Sequence, residues 1–323
     1  MTSTPQVPTV RGSVDVGKLG TVLMHEHVFV LSEELRQSMP DTWDEQQRVD
    51  DAVVRLTALA ATGVTTIVDP TVIGLGRDVR RVAAVNRRVE LNIVVATGLY
   101  TLGDLPHFFR YHGPGTLLGG VERMTELFVR ELTEGIAGTG IRAAFLKCAI
   151  EDTLTPGVER VMRAVAQAHL GTGAPIVVHT SAPARTGLIA QDILHSEGVD
   201  LGAVVIGHSG DTADLDYLRR LVDNGSYLGM DRFGLDVLLP TDQRVATVAA
   251  LAGQGLADRM VLSHDASCHI DWFPPGVREQ IAPNWHYTHL HEQVLPALLD
   301  AGVTRAQLTT MMVDNPRRYF TPA

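Results

Sequence analysis

Short runs of apolar, mostly β-branched residues recur along the chain and alternate with amphipathic stretches. Runs such as IVVATG, PIVVHT and AVVIGH are hydrophobic almost throughout, which is typical of parallel strands buried on both faces. The pattern predicts eight strands, at residues 21–28, 65–70, 92–100, 143–150, 175–180, 204–210, 227–233 and 260–266.

Helix signals lie between these runs. Three amphipathic stretches open on an Asp or Thr that can cap a helix and end at a glycine, and they span residues 41–63, 155–171 and 211–225. Strands that alternate with helices in this way are typical of an α/β fold, namely a (β/α)8 TIM barrel, with a doubly wound open sheet as the alternative. No linker-like segment divides the chain, so we expect one barrel domain over residues 1–323.

Composition and charge narrow the class of protein. Hydrophobic residues make up 45% of the chain, and Asp and Glu outnumber Lys and Arg by 37 to 27. These values exclude a disordered chain, and the acidic balance argues against nucleic-acid partners and against anionic membrane surfaces. Cys148 and Cys268 are the only cysteines, and the N-terminus carries no signal-peptide pattern. We therefore expect a cytoplasmic protein without a disulfide framework and without membrane contact.

Candidate metal ligands begin in the first predicted strand. His25 and His27 are two residues apart, so in a strand they share a face and can grip one ion. Neutral imidazoles suit Zn, Fe, Co or Ni. Taken alone, two such histidines are nevertheless more often ordinary surface or core residues.

The fourth predicted strand carries an unusual lysine. The chain has only two lysines, Lys18 and Lys147, and Lys147 lies within an apolar strand where an ammonium group is costly to bury. One interpretation is an ordinary ion pair with a neighbouring carboxylate. The other is that burial lowers the lysine pKa, so that the neutral amine takes up CO₂ and becomes a carbamate that bridges two metals.

Three further residues end later strands. His179, His208 and Asp265 follow the fifth, sixth and eighth strands, and each by itself could be a core histidine, a helix cap or an ion pair. Together with His25 and Lys147 they all fall at the carboxyl ends of strands, where barrel enzymes place their chemistry. The neighbouring His264 is expected to point away from this group because side chains alternate along a strand.

The order of these segments resembles the amidohydrolase superfamily in its binuclear-metal, carboxylated-lysine form, and more narrowly the phosphotriesterase family with its lactonases. The matching segments are VRG, LGTVLMHEHVF, TTIVDPT, ATGLYTLGDLP, FLKCAI, PIVVHT, IGHSGDT, GMDRFG, SHDAS and NPRRYF. The resemblance implies two divalent metal ions, with Zn expected and Fe, Co or Mn also compatible. It implies that His25, His27 and Asp265 bind the more buried ion, that His179 and His208 bind the more exposed one, and that Lys147, as N6-carboxylysine, bridges them.

Two positions favour the lactonases within this family. Tyr100 stands where phosphotriesterases carry a tryptophan, and Arg232 where they tend to carry a histidine; the alternatives are a structural tyrosine and a surface arginine.

After the eighth strand, Trp272 and Phe273 either line a channel for an acyl chain or pack on the barrel. Asp211 either passes protons outward or caps a helix.

The resemblance thus implies hydrolysis of lactones, above all N-acyl homoserine lactones in quorum quenching, with weak phosphotriesterase activity and a homodimeric assembly. It implies that Asp265 transfers protons and that Tyr100 fixes the lactone carbonyl. The alternatives are a dedicated organophosphate or carboxylester hydrolase and a non-catalytic metal-binding barrel. Four histidines lie in or after the last loop, namely His269, His286, His289 and His291. They either form another metal cluster or lie on a solvent-exposed helix face, and we favour the exposed face.

Overall fold

The structure is a computed structural model that describes residues 4–321. Its strands are β1 (Gln6–Thr9), β2 (Gly12–Asp15), β3 (Val22–Leu23), β4 (His27–Val30), β5 (Thr66–Asp69), β6 (Asn92–Gly98), β7 (Phe145–Ile150), β8 (Ile176–Thr180), β9 (Val204–Gly207), β10 (Tyr227–Met230), β11 (Met260–Leu262) and β12 (Ser267–Ile270).

Helices connect these strands. They are α1 (Glu33–Ser38), α2 (Glu45–Ala61), α3 (Val79–Asn86), α4 (His107–Tyr111), α5 (Arg123–Thr133), α6 (Pro156–Thr172), α7 (Thr186–Ser196), α8 (Leu215–Asp223), α9 (Thr241–Gly253), α10 (Val277–Ile281), α11 (Leu295–Asp300), α12 (Arg305–Thr309) and α13 (Asn315–Tyr319). Single π-helical segments, Leu290–Val294 and Thr310–Asp314, lead into α11 and α13.

Eight parallel strands form the central sheet in the order β3-β5-β6-β7-β8-β9-β10-β11. The two ends of this sheet meet, because the Met24 amide donates to the Leu262 carbonyl at 3.4 Å and β4 pairs in parallel with β12. The predicted (β/α)8 barrel is therefore confirmed, and the open doubly wound sheet is wrong.

The predicted first and last strands are not continuous. The first divides into β3 and β4, and the last ends at Leu262 before the chain resumes as β12. The buried Glu26 carboxylate replaces the missing ladder contacts by accepting the amides of His264, at 2.8 Å, and Ala266, at 3.0 Å. A buried backbone donor needs a partner, so this carboxylate is what lets both strands break at the barrel mouth.

Helix starts follow local capping chemistry. Thr155 caps α6 as predicted, but the helix runs through Gly171 and ends at Gly173, which takes the left-handed conformation at φ +73°. Helix α2 begins after Asp44, whose side chain accepts the Gln47 amide, rather than at residue 41. Pattern therefore locates these helices to within a turn, while their end residues depend on the cap that forms.

Alternation along β7 shows how the barrel is filled. Leu146 and Cys148 belong to the core between the sheet and the helices, whereas Phe145 belongs to the core inside the barrel. Side chains two apart share a face, so Lys147 points inward with Phe145. In the same way Val177 lies inside the barrel, one layer below His179 on β8. Apolar residues thus fill the lower barrel, and ionisable residues occupy its carboxyl-end mouth.

No helix within residues 4–321 combines the length and the apolar character needed to cross a bilayer. Cys148 and Cys268 are both buried free thiols.

Candidate metal centre

Six ionisable side chains meet at the mouth of the barrel. They are the residues singled out from the sequence: His25 and His27 at the break in the first predicted strand, Lys147 in β7, His179 in β8, His208 after β9, and Asp265 after β11. All are buried except Asp265, whose side chain is 12% exposed. The residues converge although their strands are far apart in sequence, because the carboxyl ends of parallel strands lie at one end of a barrel.

The nitrogen and oxygen atoms of this cluster are close enough to bind a cation. Asp265 Oδ1 lies 3.3 Å from His25 Nε2 and 3.2 Å from His27 Nε2, and His208 Nε2 lies 2.7 Å from His179 Nδ1. One ligand atom from each of His25, His208 and Asp265 lies within 4.8 Å of the other two. Imidazole and carboxylate groups at these separations form a set that can hold a metal ion.

Asp231 orients two of the histidines. Its carboxylate contacts His25 Nδ1 at 3.0 Å and His208 Nδ1 at 2.9 Å, and it accepts the His208 amide at 2.8 Å. A carboxylate on the far nitrogen fixes each ring and leaves Nε2 free to face the cluster. Sequence reasoning missed Asp231, although an acid at the end of the apolar strand YLGM was an available signal.

Two residues of the cluster are held in strained backbone conformations. His208 has φ +62° and Asp265 has φ +56°, and they are two of only four non-glycine residues with positive φ in the described part of the chain. Such residues are uncommon and persist where the surroundings enforce them, often at functional sites. The strain aims both side chains into the cluster at the points where their strands have ended.

Burial keeps most of the imidazoles neutral. It lowers the pKa of His25, with a further contribution from Lys147; it lowers the pKa of His179 to about 4 and that of His208 well below its ordinary range. The neutral ring is the form that binds metals. His27 differs, since the carboxylates of Asp265, at 3.2 Å, and Asp69, at 3.6 Å, outweigh its burial and raise its pKa to about 9 in the absence of metal.

Lys147 is the most unusual group of the cluster. It is 1% exposed, and its Nζ has no hydrogen-bond partner within residues 4–321. Burial lowers its pKa from 10.5 to about 8, against the attraction of Asp265 and Asp231. An unpaired amine in such a place is costly, so the ordinary ion pair has no support here. These properties fit a lysine whose neutral amine could react with CO₂ and then help to bind metal.

A chain of alternating charges leads away from Asp265. Arg232 Nε donates to Asp265 Oδ2 at 2.9 Å, and its Nη1 donates to Asp211 Oδ2 at 2.9 Å. On the other side of Asp211, Arg244 Nη1 lies 2.7 Å from Oδ1 as an ion pair, and Arg244 is 1% exposed. Asp211 is therefore not a helix cap, since Asp214 caps α8. Arg232 is not a surface arginine, because its side chain is 17% exposed.

Tyr100 lies beside the cluster. Its ring meets that of His179 edge to face, with the ring centres 5.2 Å apart. Burial, with the nearby Glu151, raises the phenol pKa, so the hydroxyl stays protonated and can donate a hydrogen bond. Glu151 itself hydrogen-bonds His179 Nε2 and was missed in the sequence, although it directly follows β7.

A cavity of about 300 Å³ opens above the cluster. Its floor is the six ionisable residues with Tyr100 and Arg232, and its walls are mainly apolar. Trp272 and Phe273 both line it, with Trp272 56% exposed at the rim. Other apolar wall residues are Val30, Leu75, Leu235, Val237, Leu238, Ile270, Ile281, Ala282 and Trp285.

The remaining histidines do not form a second site. His264 points away from the cluster, where it hydrogen-bonds Glu26 and accepts the Leu290 amide at 2.9 Å. Those of the later loop belong to no group of three or more metal-binding side chains in the described residues. His289 is fully buried, so a solvent-exposed helix face is wrong for it.

The fold is a (β/α)8 barrel, and the cluster at its mouth is of a kind that can bind metal ions. The sequence model of the Phosphotriesterase family matches residues 5–320, and the chain belongs to this family. The family assignment from sequence segments is thereby confirmed, and the chain is a hydrolase of this family.

Individual relatives are similar to this chain over nearly its whole length. A phosphotriesterase homology protein of Mycobacterium tuberculosis is 57% identical over 318 residues, which cover 98% of each chain. An aryldialkylphosphatase of Saccharolobus solfataricus is 39% identical over 98% of this chain and 99% of its own. The solved structure of the phosphotriesterase from Mycobacterium tuberculosis has a TM-score of 0.97 at 56% identity, over 98% of this chain and 99% of its own.

Proposed function

We propose that this protein hydrolyses lactones, with N-acyl homoserine lactones as the main substrates. The observation that carries the proposal is the amphiphilic cavity, in which a floor of ionisable groups lies under walls such as Ile270, Trp272 and Phe273. A polar lactone ring suits the floor, and an acyl chain suits the walls.

The proposed centre holds two divalent ions, with Zn first and Fe, Co or Mn also compatible with the ligand set. When bound, such ions would supply Lewis-acid chemistry, because they would polarise a carbonyl and lower the pKa of water so that hydroxide is available at neutral pH. The unpartnered Lys147 Nζ supports a carboxylated lysine that would help to hold both ions. The proposed ligands are His25, His27 and Asp265 for one ion and His179 and His208 for the other, with Lys147 shared.

Asp265 is the proposed proton acceptor. Its carboxylate is ionised because, although burial raises its pKa, the protonated His27 at 3.2 Å and the charge of Arg232 hold the pKa well below the ordinary range. Arg232 keeps one carboxylate oxygen occupied at 2.9 Å, which leaves the other oxygen facing the histidines. The carboxylate can then take a proton from the attacking water and return it to the departing alkoxide.

Tyr100 is the proposed orienting donor. Its protonated hydroxyl, beside His179, can donate to the lactone carbonyl or ring oxygen and so fix the angle of attack. We propose that this donor is placed for a planar ester rather than for a tetrahedral phosphate, so that its loss affects the two substrate classes differently.

Hydrolysis of organophosphate triesters is the second candidate. It is supported by the names of relatives, a phosphotriesterase and an aryldialkylphosphatase, and by apolar walls that also suit aryl and alkyl esters. We propose it as the weaker activity.

The test compares Tyr100→Phe with the wild type on two substrates. We expect kcat/KM for N-decanoyl homoserine lactone, followed by pH-stat, to fall about 100- to 1,000-fold, which is the effect of losing one well-placed donor. The value for paraoxon should change less than about 3-fold. Tyr111→Phe, at a tyrosine that is 44% exposed, is the matched control. Equal losses on both substrates, or paraoxon as the much better substrate of the wild type, would contradict the proposal.

A further inference from the structure

Two polar residues interrupt the apolar wall of the cavity above its floor. Ser267 and Arg278 line the cavity among Ile270, Phe273 and Ala282. Neither belongs to the cluster of ionisable residues.

The two residues form one polar point. Arg278 Nη1 donates to the Ser267 carbonyl at 3.0 Å and lies 3.4 Å from its hydroxyl oxygen. Ser267 pairs in register with His27 across β4 and β12, and it follows Asp265 by two residues. The polar point therefore lies beside the centre, at the level of His27, where the part of a substrate next to its reacting ring would lie.

Arg278 keeps donor capacity for a ligand. It is 9% exposed and always charged, and its side-chain partners are Ser267 and Glu279, the latter at 2.9 Å through Nη2. The contacts use Nη1 and Nη2, while a guanidinium has five N–H donors. Glu279 balances the charge of Arg278 through Nη2 alone, and the other N–H donors of the guanidinium, apart from the Nη1 contact to Ser267, have no side-chain partner in the described chain.

The charge balance selects the kind of ligand. Because Glu279 already pairs with Arg278, the pair is neutral as a whole and has no surplus charge for a second anion. A neutral, strongly dipolar acceptor can accept from a remaining N–H or from the Ser267 hydroxyl without a counter-ion. A carbonyl oxygen meets this requirement, and the apolar surroundings strengthen the hydrogen bond.

We infer that Ser267 and Arg278 form a subsite for the amide carbonyl that joins the acyl chain to the lactone ring. The inference rests on the proposed function and adds to it a reason for preferring N-acyl homoserine lactones over simple alkyl lactones. A site built to bind a polar group discriminates against analogues that lack it, because its own buried polar atoms are then left unpaired.

The test uses two lactones of equal chain length. N-nonanoyl homoserine lactone carries the amide, whereas α-decyl-γ-butyrolactone has a hydrocarbon chain on the same ring carbon. In the metal-loaded enzyme, Arg278→Met should lower kcat/KM for the first about 10- to 100-fold and for the second less than about 3-fold, since a hydrogen bond to a charged donor is lost only with the amide. Arg278→Lys should recover part of the loss, and Ser267→Ala should show a smaller loss in the same direction.

Controls separate binding from folding. Arg87→Met removes an exposed arginine of the surface and should change neither substrate. Metal content and thermal midpoint show whether each variant is folded and loaded. If Arg278→Met does not fold, the comparison is made with Ser267→Ala and Arg278→Lys. Parallel losses on both lactones would show that Arg278 only supports the loop and would overturn the subsite, as would no loss on either.

The outcome for the proposed function is read separately. If the wild type opens neither lactone, the proposed function is wrong, and calorimetry with the two corresponding lactams decides the subsite. In that case, weaker binding of the amide-bearing lactam alone by Arg278→Met supports the subsite. Equal affinities of wild type and variant for that lactam overturn it.

Discussion

Replacing Lys147 by methionine should stabilise the metal-free protein while it abolishes metal loading. The amine is 1% exposed and has no hydrogen-bond partner in the described chain. Burial lowers its pKa from 10.5 to about 8, so below pH 8 the metal-free fold holds a charge that it disfavours. The difference corresponds to about 3 kcal/mol of unfolding free energy, and an apolar side chain of similar length removes this penalty.

The pH dependence has a definite sign. The folded amine loses its proton near pH 8, whereas the unfolded amine keeps it until near pH 10.5. Between these values the unfolded chain binds more protons, so the stability of the metal-free wild type rises with pH through this window. The gain from Lys147→Met should therefore be about 3 kcal/mol at pH 7 and less than about 1 kcal/mol at pH 10.

Urea unfolding of chelator-treated protein, followed by tryptophan fluorescence, measures this gain. Lys18→Met is the matched control, since Lys18 is the other lysine of the chain and is exposed; it should change stability by less than about 0.5 kcal/mol. Metal analysis after reconstitution should show that Lys147→Met no longer retains two ions. A variant no more stable than the wild type at pH 7, an equal gain at pH 10, or full metal loading would each refute the reasoning.

Two further predictions concern groups that sequence reasoning missed. Asp231→Asn should weaken metal binding about 10- to 100-fold, because it loosens the orientation of two imidazoles, and competition with a chromophoric chelator measures the change; unchanged affinity would contradict this role. Arg244→Met should cost about 3–5 kcal/mol of unfolding free energy, because it removes one of the two arginines of Asp211 and the hydrogen bonds of Arg244 to buried backbone carbonyls such as that of Gly210, at 2.7 Å. The double variant with Asp211→Asn should recover part of the loss. The absence of any recovery in urea unfolding would show that Arg244 acts through its backbone contacts alone.

The fold could be predicted from the sequence because its signals are local and repeated. Continuous apolar runs such as that of β7 mark strands buried on both faces, and capping residues such as Thr155 mark helix starts. Parallel topology then requires that the strand ends share one mouth, which is why residues as distant as His25 and Asp265 can be grouped by their positions in the sequence alone.

Other features depend on contacts between distant segments. Asp231 binds two histidines, Glu26 bridges the broken strands, and Arg244 faces Asp211, yet each residue alone resembles an ordinary cap or ion pair in sequence. Likewise, alternation along a continuous strand could not foresee that the backbone at Asp265 adopts a left-handed conformation.

The sequence by itself thus determined the barrel, the family and the set of groups gathered at the mouth. The tertiary structure alone decided which atom of each group faces the centre, which carboxylates orient the imidazoles, and that the Lys147 amine has no partner within residues 4–321. The physical reason is that periodicity and residue type report burial and chemical capacity, whereas hydrogen-bond pairing and pKa depend on distances of a few ångströms between strands far apart in the chain.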